Sequence, residues 1–125
     1  IAALAPGQVE AVQTDVLTHL PDGVCDLIVS NPPYITWADM QTLSPQVRHE
    51  PELALYGGED GLQFYRQLTR NCYDHLRSGG WLIFEIGYDQ GESVPELLRQ
   101  RGFAEVFCQT DLAGVPRCAG GRRPL

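Results

Sequence analysis

The chain has 125 residues, 43% of them hydrophobic and 20% charged, an ordinary composition for a soluble globular domain or part of a larger one. Its formal net charge of −7 argues against a nonspecific grip on nucleic acid, which needs clustered Lys and Arg. No run of about 18 apolar residues exists to span a membrane.

Ile1-Ala2-Ala3-Leu4-Ala5 has no initiating Met and no basic region. It does not read as a signal peptide, and the chain reads as entered partway through. The first expected strand is Val9–Gln13, which alternates weakly and ends at Thr14-Asp15. Cys25–Val29 is a short apolar run with β-branched residues, stopped by Pro32-Pro33, and is expected to be a buried strand. Gly61 to Arg77 carries Leu62, Tyr65, Leu68, Cys72 and Leu76 on one helical face, with Gly79-Gly80 expected to end the helix. Trp81–Ile86 is nearly continuous in apolar residues, as in a parallel sheet covered on both faces. Ser93–Arg101 is expected to be a helix with Pro95 in its first turn, Val94, Leu97 and Leu98 inward, and Gly102 at its end. Strands at Phe103–Cys108 and Arg117–Gly121 complete the pattern.

Such alternation implies an α/β sheet. Ligands of these sheets bind beyond the carboxyl ends of the strands, which directs attention to the loops after Gln13, Val29 and Ile86. Their residues include Asp15, Asn31-Pro32-Pro33-Tyr34 and Gly87-Tyr88.

The remaining chemistry-bearing residues give weaker signals. Cys25, Cys72, Cys108 and Cys118 form no C-x-x-C pair. The first three lie in apolar patterns and are expected to be buried thiols in a reduced, cytoplasmic setting. His19, His49 and His75 have no metal-ligand spacing, and no metal is expected. Arg99 with Arg101, and Arg122-Arg123, are expected to be solvated charges.

Asn31-Pro32-Pro33-Tyr34 follows the Cys25 strand. Residues before proline are pushed out of the helical region, so Asn31 and Pro32 are both extended. Proline fixes its own φ and lacks an N–H. The turn is therefore stiff and presents carbonyls outward, and Asn31 adds a side-chain carbonyl. Two acceptors on a rigid turn can hold an NH₂ group by both hydrogens, while Tyr34 offers a face to a planar group. That geometry suits methylation of a planar NH₂. A given four-residue string occurs by chance roughly once in 10⁵ positions.

The chain resembles the release-factor glutamine methyltransferases, the HemK/PrmC family. The matching segments are Gln13–Asp15, Asp26–Ile35, Val47–Leu55, Gly57–Leu62 and Glu85–Gly87. Several amino-methyltransferase families share the Asn-Pro-Pro-Tyr turn. The Arg48-His49-Glu50-Pro51 stretch through Leu55, followed by Gly58-Glu59-Asp60-Gly61, is more particular to this one. The resemblance implies a Rossmann-like methyltransferase fold and S-adenosyl-L-methionine as methyl donor. It implies the glutamine of the Gly-Gly-Gln loop in class 1 peptide chain release factors as substrate, N5-methylglutamine as product, and no direct nucleic-acid partner or membrane.

By the same resemblance, Asn31, Pro32, Pro33 and Tyr34 bind the glutamine, and Asn31 also lies beside the cofactor. Asp15 looks like the acidic residue near the cofactor's adenine. The next position, often aromatic in relatives, is Val16, which leaves a backbone contact and removes stacking. Arg48 and Glu50 are read as support for the substrate loop, against a surface ion pair. Glu85 is left out of the site.

The family's glycine-rich cofactor turn and its ribose-binding acid do not precede the Cys25 strand. Gly57-Gly58 and Gly79-Gly80 come too late in the order of elements to supply that turn. The whole chain, residues 1 to 125, is thus expected to be the C-terminal portion of one catalytic domain, with the first two strands and their helices missing. In the expected order 3-2-1-4-5-7-6, the Cys25 strand then becomes an apolar edge. The alternatives are an adenine-N6 DNA or RNA methyltransferase and a non-catalytic fragment lacking the cofactor-binding half. The isolated 125-residue chain is expected to bind S-adenosyl-L-methionine weakly or not at all, and micromolar binding by calorimetry would overturn that expectation.

Overall fold

The apolar run Trp81–Phe84 lies in a central strand of the sheet, paired on both sides. The computed structural model describes residues 7–13, 20, 23–34 and 60–125. Within them the elements are β1 (Cys25–Ser30), α1 (Gln63–Asp74), β2 (Leu76–Glu85), α2 (Ser93–Arg101), β3 (Ala104–Thr110) and β4 (Pro116–Arg122). The sheet order is β1-β2-β4-β3. β1 runs parallel to β2, from Leu27 opposite Trp81 to Ser30 opposite Phe84. β4 is antiparallel to both β2 and β3. This is the 4-5-7-6 part of the expected order, and the sheet is that of a partial Rossmann-like methyltransferase fold.

Alternation along β2 buries Leu82 and Phe84 completely on one face. Tyr65, Leu68 and Cys72 of α1 recur at helical spacing and meet that face, as do Val94 and Leu98 of α2. Tyr65 meets Phe84 edge-on with ring centroids 5.1 Å apart, and Tyr73 meets Phe103 likewise at 5.1 Å. Burial pushes the Cys72 thiol up to about 11, so it stays protonated and packs as a small apolar group. Gly102 ends α2 in the left-handed region at φ 108°, with its N–H bonded to Arg99 O.

Several expectations are corrected. Val9–Gln13 is not a strand, and Val9 and Val12 are exposed; an extended segment needs a neighbouring ladder to become one. Among the described residues β1 is the apolar edge that the expected strand order gives when its first two strands are missing, with Leu27 54% and Val29 66% exposed, although its apolar run alone reads as a buried strand. Trp81 and Ile83 remain half-buried, so among the described residues only the helical side of β2 is fully covered. α1 ends at Asp74, before the glycines. The chain turns at His75 and re-enters the sheet at Leu76, and Gly79-Gly80 lies within β2, where the β1 pairing is irregular. Cys25 and Cys108 are exposed, because both lie on outer strands; all four cysteines are free.

The arginines are also more engaged than solvated charges. Arg123 Nη1 donates to the carbonyls of Tyr73 at 2.9 Å and Leu76 at 2.6 Å. Arg101 and Arg123 both lie over the Tyr73 ring, at 4.0 and 4.7 Å from its centroid. Arg122 bonds Gly79 O and Glu105. No helix among the described residues is long and apolar enough to cross a membrane. Replacing Phe84 by Ala removes the ring at the centre of this core and should cost about 3–5 kcal/mol. Urea unfolding followed by Trp fluorescence checks this, and a loss of less than about 1 kcal/mol would contradict the packing described.

Candidate active site

β1 and β2 are parallel neighbours, so the loops leaving their carboxyl ends lie side by side. The first loop is Asn31–Tyr34. Pro32 is buried and anchors the turn, Pro33 and Tyr34 are half-buried, and Asn31 is exposed. Among the described residues, no hydrogen bond engages the Asn31 side chain. The second loop begins at Ile86, whose N–H donates to Arg117 O at 3.0 Å. It then turns through Gly87 to Gln90, with Gln90 N–H donating to Gly87 O at 3.0 Å.

Tyr34 joins the two loops. A β-carbon on Gly87 would lie 2.8 Å from Cδ2 and 3.1 Å from Cε2 of the Tyr34 ring, so the ring rests directly on that backbone. Gly61, with φ +75°, lies against the Tyr34 carbonyl oxygen on the other side, where a β-carbon would run into it. Gly61 thus needs both a left-handed backbone and the absence of a side chain. Beneath them lies Gln90, 4% exposed. Its Oε1 accepts from Gly87 N–H at 2.7 Å and its Nε2 donates to Gly61 O at 2.9 Å.

The surrounding charges are structural. Asp60 Oδ1 accepts Leu62 N–H at 3.0 Å, and Arg66 binds the same carboxylate in a fork at 2.7 and 3.1 Å. That guanidinium holds the Asp60 carboxyl below its usual range. The pair fixes the backbone where Gly61 leads into α1. Tyr65 donates its hydroxyl to Glu85 O at 2.7 Å. Burial pushes that hydroxyl above its usual range, with the nearby Tyr34 adding to the shift, so Tyr65 acts as a fixed donor rather than a base. Glu85 itself is exposed.

Asn31, Pro32, Pro33 and Tyr34 therefore form one turn, which touches Gly87 of the second predicted loop. Asp15, Val16, Arg48 and Glu50 lie outside the described residues. Sequence reasoning missed Gln90 and the role of Gly61. A glycine just before a helix is a usable signal, since it marks a special backbone conformation. Gln90 gives none, because it sits among Asp89, Gly91 and Glu92 in a polar loop. Among the described residues, no group of His, Cys, Asp or Glu could hold a metal ion.

A parallel pair extended by an antiparallel hairpin, with an Asn-Pro-Pro-Tyr turn at the carboxyl end of β1, defines a Rossmann-like methyltransferase class. A solved protein-(glutamine-N5) methyltransferase (release factor-specific) from Alicyclobacillus acidocaldarius is 30% identical, with a TM-score of 0.52 over 82% of this chain and 50% of that chain. The chain is 47% identical to a release factor glutamine methyltransferase of Geobacter sulfurreducens over 82% of its length, and 43% identical to one of Streptomyces coelicolor over 94%. It spans 37% and 43% of the lengths of these two relatives. No protein-family model matches. On this similarity the chain belongs to the release factor glutamine methyltransferase family, HemK/PrmC, and corresponds to part of its members' length.

Gly87 is not in the left-handed region, so an alanine there is unstrained in backbone and presses first on the Tyr34 ring, at 2.8 and 3.1 Å, and then on Gln90 Oε1, at 3.2 Å. Gly87→Ala should displace the ring and lower stability by about 1–3 kcal/mol. Tyr34 ring signals in tyrosine-labelled protein report this, and unshifted signals would show that the ring does not rest on Gly87.

Proposed function

We propose that this chain carries the substrate side of an enzyme that methylates the side-chain amide nitrogen of a glutamine, in the Gly-Gly-Gln loop of class 1 release factors. The observation that carries the reading is the Asn31–Tyr34 turn. It is anchored through buried Pro32, braced through Tyr34 on Gly87, and open at the exposed Asn31. It lies in a chain 47% identical to a relative bearing that activity's name.

An amide nitrogen is a poor nucleophile, because its lone pair is delocalised into the carbonyl. The side-chain oxygen of Asn31 and the backbone carbonyl of Pro32 accept the two N–H hydrogens. Doing so raises electron density on nitrogen and turns the lone pair toward the incoming methyl. Tyr34 keeps the planar amide from tilting. Catalysis is then alignment and electrostatics on a turn that two prolines have already stiffened.

The donor is S-adenosyl-L-methionine, which supplies an electrophilic methyl group when bound. The exposed Asn31 side chain, which has no hydrogen bond among the described residues, fits a polar contact to it, and Asp15 and Val16 are proposed to hold its adenine. No general base is required before transfer, since the methylated nitrogen is acidic and releases its proton to water. Residues 1 to 125 are accordingly proposed to be the C-terminal portion of one catalytic domain, acting in the cytoplasm where release factors work.

Transfer of tritiated methyl to a release factor tests the reading, with a factor whose Gly-Gly-Gln glutamine is replaced by Ala as control. Asn31→Ala should lower kcat on the order of 100-fold. Methylation of DNA alone, or an Asn31→Ala protein of full activity, would overturn it.

A further inference from the structure

We propose that Gln90 is the positioning residue that holds the Asn31–Tyr34 turn in place against the sheet. The proposal rests on the reading above for its catalytic consequence, but not for its geometry. Gln90 and Thr69 are the buried polar side chains among the described residues. Both ends of the Gln90 amide are used, as acceptor from Gly87 N–H and as donor to Gly61 O.

Those two partners are the backbone surfaces between which Tyr34 is held. Gly87 carries the ring and Gly61 abuts the Tyr34 carbonyl. A β-carbon on Gly61 would also lie 3.3 Å from Gln90 Nε2, and one on Gly87 3.2 Å from Gln90 Oε1. The four residues are thus one packed cluster drawn from three separate loops. Gln90 is itself fixed, since its carbonyl accepts Val94 N–H at the start of α2. One residue therefore ties the β2 exit and the approach to α1 through its side chain, and the start of α2 through its backbone, around the candidate active-site turn.

The chemistry demands an amide of this length. One partner is a donor and the other an acceptor, and each is buried enough that leaving it unpaired is costly. Leu supplies neither function. Ionised Glu keeps the acceptor but sets a carboxylate against Gly61 O. Protonated Glu restores a donor. Gln90 does not touch the substrate; it acts through Tyr34.

The experiment uses the intact protein with labelled tyrosines, comparing wild type with Gln90→Leu, Gln90→Glu and a core control, Leu98→Ala. Gln90→Leu should move the Tyr34 ring signal and lower kcat about 100-fold, as misplacement of reacting groups does. In Gln90→Glu the buried carboxyl titrates above its ordinary range, so both defects should be present near pH 8 and recede by about pH 5. Leu98→Ala should lower stability and leave the ring signal and kcat unchanged.

A ring signal that stays in place, or moves equally in Leu98→Ala, would overturn the proposal, and so would a displaced ring with undiminished kcat. If Gln90→Leu does not fold, the pH-dependence of Gln90→Glu carries the test. If wild type transfers no methyl to glutamine, the proposed activity has failed, and the ring signal still decides whether Gln90 sets the turn.

Discussion

Two parallel strands that pair side by side must release their following loops at the same end of the sheet. The pairing of β1 with β2 is that constraint here. It sets Asn31–Tyr34 beside Gly87–Gln90, although more than fifty residues separate them in sequence. The contact between the loops then depends on side chains that are absent as much as on those present. Tyr34 lies close to the backbone at Gly61 and Gly87 because neither carries a β-carbon. A stiff turn on a mobile base would orient nothing, and here the base is the end of the most deeply buried strand of the core.

The parts of the fold that were readable from the sequence are those decided locally. β2 announces itself by apolar continuity, and α2 by its periodicity between Ser93 and the left-handed Gly102. The Asn-Pro-Pro-Tyr turn is legible because proline restricts itself and its predecessor whatever the surroundings. What failed depends on neighbours far along the chain. The apolar run Cys25–Val29 reads alone as a buried strand, and its place at an edge followed only from the strand order that the family resemblance implies. Leu76 continues the helical stripe of Tyr65, Leu68 and Cys72, yet it lies in β2 because the chain has already turned at His75. Gln90 was invisible for a related reason, since a polar residue in a polar loop becomes a buried clamp only through the Gly61 carbonyl, 29 residues away.

The arginines show how composition can mislead about partners. Every cation in the chain is Arg and none is Lys. Arg101 and Arg123 lie over one tyrosine ring, and Arg122 and Arg123 satisfy carbonyls in β2 and at the end of α1. Guanidinium suits this work, because it stacks on aromatic faces while several donors reach backbone oxygens. Arg101, Arg122 and Arg123 are thus committed to the protein's own backbone and rings, while Arg99 stays exposed beside Glu96. The acidic side chains among the described residues remain exposed or half-exposed.

The sheet order β1-β2-β4-β3 has a consequence for assembly. β4 comes last of the four in sequence but lies between β2 and β3, so β3 is joined to the sheet only through its hairpin partner. That hairpin has a strong local turn, in which the Asp111 carboxylate accepts the N–H groups of Ala113 and Val115 and pairs with Arg117. Contacts so close in sequence form early, because little loop entropy opposes them. The hairpin can therefore zip on its own and dock onto β2 as a finished ribbon. β1 and β2, joined across a long crossover, form the slow half of the fold, and the candidate active site is assembled there.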